Sequence, residues 1–224
     1  MDKARKALLL IIAVLGACAV TAQFYLNMTR HPEHTALWRA IDFVSYFTNT
    51  TGILVTVVAI LALVHPSSRL ARPGVIAATA TYILVVAVTY ELLLRGEAHG
   101  LYFFTNTSLH EVMPVLVILL WLAFTPKAGL RWSEPLGWAV YPAVYMAWIL
   151  ARGAVIHHYP YFFADVDKLG YPRALLNGAG FLAAFYGLGV ATGVDLPALV
   201  ATSAWLAGRM GRESPSRAVR ALAG

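Results

Sequence analysis

Apolar residues run through this chain in long, nearly uncharged blocks separated by short polar stretches. A bilayer core of ~30 Å takes about 20 residues of helix. Backbone polar groups in lipid must pair internally, which a helix does within one segment. The blocks also lack the strict apolar–polar alternation of a barrel strand. The pattern therefore predicts an all-α integral membrane protein with six spans, at about residues 7–26, 43–64, 75–94, 106–124, 136–155 and 174–195.

The last block is too long for one ordinary span. Asp195 interrupts it, and Pro197 follows. A carboxylate at mid-bilayer costs ~2.5–3.5 kcal/mol even on the lenient insertion scale. The expected arrangement ends the sixth span near Asp195 and lays residues 196–210 along the inner surface. Residues 1–210 then form a single transmembrane domain, and residues 211–224 a basic cytoplasmic tail.

Composition agrees with this pattern: 59% of residues are hydrophobic and 12% charged. The formal net charge is +6, but the basic residues border apolar spans instead of forming one patch. That distribution argues against nucleic-acid binding and fits membrane topology. With the N-terminus inside, Lys3, Arg5, Lys6, Arg69, Arg72, Lys127, Arg131, Arg209 and the three arginines of the tail fall on the inner side. Arg30, Arg39, Arg95, Arg152, Lys168 and Arg173 fall outside. The bias predicts both ends inside. Trp132 and Trp138 border the inner end of the fifth span, where interfacial aromatics belong. Leu15-Gly16-Ala17-Cys18 has the look of a lipoprotein processing box, but its apolar run continues well past Cys18 and reads as a first span. A multi-pass protein of the plasma membrane is the expectation.

Two polar interruptions carry the candidate chemistry. Tyr46-Phe47-Thr48-Asn49-Thr50-Thr51-Gly52 opens an apolar run, and so does Asn106-Thr107-Ser108-Leu109-His110-Glu111. Counting about 20 residues back from each inner boundary puts Thr48 within a turn of the outer end of the core. The same count puts His110 ~8 Å below it. Asp42, Asn49, Glu91, Asn106, Glu111 and Arg152 fall in the same layer, as expected of polar groups that face one another around a cavity. Pro114 lacks the N–H that would bond the carbonyl of His110, so the helix can bend there. Pro142 does the same for the carbonyl of Trp138.

A threonine hydroxyl becomes a nucleophile when a base stands within hydrogen-bond reach, and histidine is the usual base. Asn49, Asn106 or freed backbone N–H groups are candidate oxyanion donors. Arg95 and Arg152 read as surface anchors or partners for a substrate carboxylate. Threonines in membrane helices commonly bond their own i−4 carbonyl, and the residues alone leave Thr48, Thr50 and Thr51 as rivals. His110 has its own plain alternative, a pairing with Glu111 or Glu91. His157, His158, Asp165 and Asp167 invite a metal reading, but no compact ligand spacing supports one, so no metal and no cofactor are expected. Tyr159-Pro160-Tyr161-Phe162-Phe163 reads as an interfacial aromatic lid.

The stretches Trp138-Ala139-Val140-Tyr141-Pro142-Ala143-Val144-Tyr145, Arg152-Gly153 and Tyr159 to Tyr171 resemble the bacterial branch of the androgen-induced membrane protein family. Members are multi-pass threonine hydrolases of fatty-acid esters of hydroxy fatty acids. Their threonine motif falls on Tyr46-Phe47-Thr48 and their histidine motif on His110 to Pro114. The resemblance covers residues 40–190 as scattered short motifs. Residues 196–210 have no counterpart in it. It implies a lipid ester hydrolase with Thr48 and His110 as catalytic residues; Asn49, Glu91, Asn106 and Arg152, from the polar layer at the same depth, are the candidate substrate-binding or supporting residues. Its partners are a lipid ester substrate and membrane lipids. The competing class is a non-enzymatic multi-pass protein, a lipid or small-molecule transporter or a scaffold. A transporter would show paired broken helices and internal repeats, and neither is visible. A haem or metal redox protein would need facing histidine pairs within spans, and only His110 lies in one.

Overall fold

The computed structural model describes residues 2–127, 130 and 133–193. Arg131, Trp132, Asp195, Pro197, the surface helix expected over 196–210 and the basic tail over 211–224 lie outside the described residues.

Among the described residues, six helices are long and apolar enough to cross a membrane: Lys3–Arg30, Phe47–Val64, Pro73–Leu94, Gly100–Phe124, Glu134–Ile156 and Val166–Thr192. Helix α1 is Lys3–Arg30, α2 is Ala36–Val44, α3 is Phe47–Val64 and α4 is Pro73–Thr89, continued by a π turn over Tyr90–Leu94. Helix α5 is Gly100–Thr107, a second π turn spans Ser108–Val112, and α6 is Met113–Phe124. Helices α7 (Glu134–Trp138), α8 (Val140–Ile156) and α9 (Val166–Gly193) complete the bundle. The chain is all-α, and no strand forms among the described residues.

Helix α4 is the centre of the bundle and touches α3, α6 and α9. Its run Ala77-Ala78-Thr79-Ala80-Thr81 is buried throughout. Small side chains let helix backbones approach in lipid, where packing rather than water exclusion holds helices together. The threonine hydroxyls cost little there because they bond within the helix: Thr79 donates to the Ile76 carbonyl at 2.8 Å and Thr81 to Ala77 at 3.0 Å. Thr81 also meets Thr192 of α9 at 2.7 Å, a polar tie between the two helices. Helix α1 packs along α3. At Gly52 a β-carbon would press on Leu109 at 3.1 Å and on Val20 at 3.3 Å. The missing side chain at Gly52 thus lets α3 sit close to α1 and to the π turn of Ser108–Val112.

The span expected over 43–64 breaks at Ser45 and Tyr46, leaving α2 separate from α3. Side chains stabilise the break by capturing carbonyls at the end of α2. Ser45 Oγ donates to Ile41 O at 2.8 Å, and Asn49 Nδ2 donates to Phe43 O at 2.8 Å. The Tyr145 hydroxyl donates to Ser45 O at 2.6 Å. Two other boundaries also move outward from those expected. The fourth span begins at Gly100, and the sixth at Val166 with a kink at Gly170, φ 72°, just before Pro172.

The two prolines act as their lost N–H groups require. Upstream of Pro114 the backbone adopts the π turn, with the Met113 N–H bonding Ser108 O five residues back. The carbonyl of Trp138, deprived of a donor by Pro142, accepts from the Tyr82 hydroxyl at 2.7 Å.

Candidate active site

The break before α3 fixes the position of Thr48. Helix α3 starts at Phe47, so Thr48 stands in its first turn, where N–H groups point away from the helix and the dipole is positive. The Phe47 N–H donates to the Tyr161 hydroxyl at 3.1 Å. The Thr48 hydroxyl meets His110 Nε2 at 3.2 Å.

The tautomer of His110 follows from its other nitrogen. Nδ1 lies 2.9 Å from the carbonyl of Asn106, an acceptor only, so Nδ1 carries the hydrogen. Nε2 is then a lone pair, and the Thr48 hydroxyl donates to it. Tyr90 stacks on the imidazole with centroids 4.2 Å apart and planes 25° apart. The Asn106 side-chain amide donates to the Tyr90 hydroxyl. Both π turns contribute to this cluster, Tyr90 from the first and His110 from the second. Such turns are frequent at functional sites because they rotate side chains out of the ordinary helical register.

The rival threonines face elsewhere. Thr50 Oγ1 donates to Phe47 O at 3.1 Å and accepts from the Tyr141 hydroxyl at 2.8 Å. Thr51 Oγ1 meets the same tyrosine at 3.2 Å. Of the three, only Thr48 reaches the histidine.

Thr48 also separates two cavities. One, of about 270 Å³, is polar and lined by Gln23, Asn27, Asp42, Asn49, Asn106 and His110, with Arg30 and His31 also on its wall. The other is a narrow apolar slot of about 50 Å³ between α4, α8 and α9, lined by Val86, Met146, Ile149, Phe181, Leu182 and Phe185 among others. Thr48, Leu94 and Tyr161 line both.

The expected supporting residues scatter around this centre. Asn106 is part of it. Asn49 is buried at the polar cavity, with its amide bound to the end of α2. Arg152 stands behind the cavity wall, paired with Asp42 at 3.0 Å in a site where both side chains are buried. His158 approaches Asp42 at 3.5 Å from the other side. Glu91 lies apart: it pairs with Arg95 at 3.0 Å, and its side chain is 42% exposed. Glu111 binds the same guanidinium at 3.0 Å. Glu111 and then Glu91 push the Arg95 pKa above its ordinary value, so Arg95 is already matched by carboxylates. His157 pairs with Asp167 at 2.9 Å, so the adjacent histidines serve different carboxylates.

Sequence reasoning did not single out Tyr90 or Tyr161. Tyr90 sits in a run that reads as ordinary span. Tyr161 sits among aromatics that read as an interfacial lid, and only the fold returns it to the start of α3. Comparison with protein-family models, curated proteins and solved structures gives no match.

Proposed function

We propose that this protein is a membrane-embedded hydrolase of lipid esters, of the fatty-acid ester of hydroxy fatty acid type, with Thr48 as nucleophile and His110 as base. The observation that carries the reading is the 3.2 Å contact from the Thr48 hydroxyl to the unprotonated Nε2 of His110, at the boundary between an apolar slot and a polar cavity. A hydroxyl, an imidazole and an acceptor that orients the imidazole form the working parts of a nucleophile–base pair, here with a backbone carbonyl as the third member. The resemblance to the androgen-induced membrane protein family supports the same assignment and the same substrate class.

The two cavities suit the two halves of such an ester. The acyl chain enters the apolar slot, and the hydroxy-acid half enters the polar cavity. Arg30 is suited to meet a carboxylate there, since it lies against the Tyr102 ring at 4.4 Å and forms no ion pair among the described residues. Thr48 Oγ1 attacks the ester carbonyl carbon as its proton passes to His110 Nε2. Collapse of the tetrahedral adduct breaks the bond to the hydroxy acid, whose oxygen takes that proton. Water then gives a proton to Nε2 and attacks the acyl-threonine, and the fatty acid leaves as Thr48 regains its hydrogen. Sidedness follows the distribution of basic residues: both ends inside, and the polar cavity on the outer side of the plasma membrane.

The test is hydrolysis of a fatty-acid ester of a hydroxy fatty acid by purified protein in nanodiscs. Thr48→Ala and His110→Ala should each lower kcat/KM by a factor on the order of 10³ or more. Their thermal unfolding should stay close to that of the unmodified protein. Full activity in either variant would contradict the proposal.

A further inference from the structure

Attack by Thr48 converts the ester carbonyl oxygen into an anion, which needs a fixed donor near the first turn of α3. We infer that the Tyr161 hydroxyl is this donor, a further catalytic residue supplied by the loop between α8 and α9. The inference rests on the hydrolase reading above.

Two observations and the chemistry of a phenol carry it. Tyr161 lines both cavities, as Thr48 does, so its side chain borders the place that the hydrolase reading gives to the reacting carbonyl. Its hydroxyl accepts from the Phe47 N–H at 3.1 Å and interacts with the amide and the side chain of Thr48 and with the Tyr145 hydroxyl. A phenol has one hydrogen to give and is protonated at neutral pH. Because the Phe47 N–H occupies the oxygen as an acceptor, the hydrogen points away from that N–H, where the Thr48 side of the helix end and the oxygen of Tyr145 are its available acceptors; an oxyanion formed at Thr48 is the stronger of the two.

The ring is also held in place before any substrate arrives. It is buried, stacks on Phe163 at 5.0 Å with planes 7° apart, and meets the edge of Tyr46 at 6.0 Å. Pre-set donors of this kind need no reorganisation in the transition state. Other phenols nearby have their hydrogens committed: Tyr145 donates to Ser45 O and Tyr141 to Thr50 Oγ1. The start of α3 adds its own positive end to the same region.

The chemistry balances without further reactants. Tyr161 keeps its proton throughout and only donates a hydrogen bond, first to the adduct with the ester and then to the adduct with water. The transferred proton stays with His110 and the departing oxygens.

The experiment uses the full chain in nanodiscs, with Tyr161→Phe and three probes. These are a fatty-acid ester of a hydroxy fatty acid, a long-chain alkyl trifluoromethyl ketone and an uncleavable ether analogue of the ester. The ketone adds to the nucleophile and forms an oxyanion; the ether forms none. Tyr161→Phe should lower kcat about 10²- to 10³-fold, with KM within about twofold. It should weaken the ketone by a similar factor and leave the ether unchanged. Undiminished kcat in Tyr161→Phe overturns the assignment alone, provided turnover still depends on Thr48 and His110. Equal weakening of ketone and ether also overturns it, because it marks a role in shaping the site. Absence of Thr48-dependent turnover in the unmodified protein overturns the hydrolase reading and this inference together.

Discussion

The two cavities that meet at Thr48 are built from different materials. The polar one is walled by side chains from α1, from the break between α2 and α3, and from the π turn that carries His110. The apolar one is walled by aliphatic and aromatic side chains of α4, α8 and α9. The buried groups of the polar wall call for partners, because an unpaired polar group away from water is costly. It therefore arrives as a network: Asp42 with Arg152, Asn49 with the Phe43 carbonyl, Asn106 with Tyr90. The apolar wall needs only shape. This difference separates what each region can tolerate: breaking the buried pairs of the polar wall threatens the fold, whereas changes in the apolar wall should leave it intact and, under the proposed function, alter which chain fits.

Arg152→Met should therefore have the largest structural effect, because it leaves the Asp42 carboxylate buried without its guanidinium. A loss of about 3–5 kcal/mol is expected, read as a fall in thermal midpoint in detergent. Adding Asp42→Leu to that variant should recover part of the loss, since replacing both members of a buried pair is far milder than breaking it. Met146→Trp, in the apolar wall, should leave the fold intact and raise KM for long-chain esters about tenfold while sparing short-chain ones. Arg30→Gln, in the polar wall but outside the network of buried pairs, should raise KM about fivefold for an ester with a free carboxylate. The corresponding methyl ester should be unaffected. Smallest of all should be Thr50→Val, whose hydroxyl faces Tyr141 and not His110, with kcat/KM within about twofold of the unmodified protein.

Much of this architecture was legible in the sequence. Long apolar blocks gave all six membrane-length helices, because lipid allows few other ways to satisfy a backbone. Pro114 marked the π turn and Pro142 marked the carbonyl that Tyr82 binds, since a missing N–H is a local fact about the chain. Depth counting brought Thr48 level with His110. The rest depended on rotation about helix axes, which residue spacing near a break does not determine. Thr48, Thr50 and Thr51 cannot be told apart until the start of α3 is fixed at Phe47, two residues after Ser45 ends α2. Glu91 fell in the right layer but turns to Arg95 at the surface. Arg152 fell there too and turns to Asp42 behind the cavity. Tyr161 reads only as part of an interfacial lid, because its link to the site is a contact from a loop 114 residues away in sequence, which returns its hydroxyl to Phe47.

The central claim is that Thr48 is a nucleophile because His110 accepts its proton. Its most direct test is labelling of the purified protein with a fluorophosphonate, followed by mass identification of the modified peptide. A phosphonate is expected on Thr48 in the unmodified protein and none in His110→Ala. A label on Thr50 or Thr51, or a label on Thr48 that persists without His110, would contradict it.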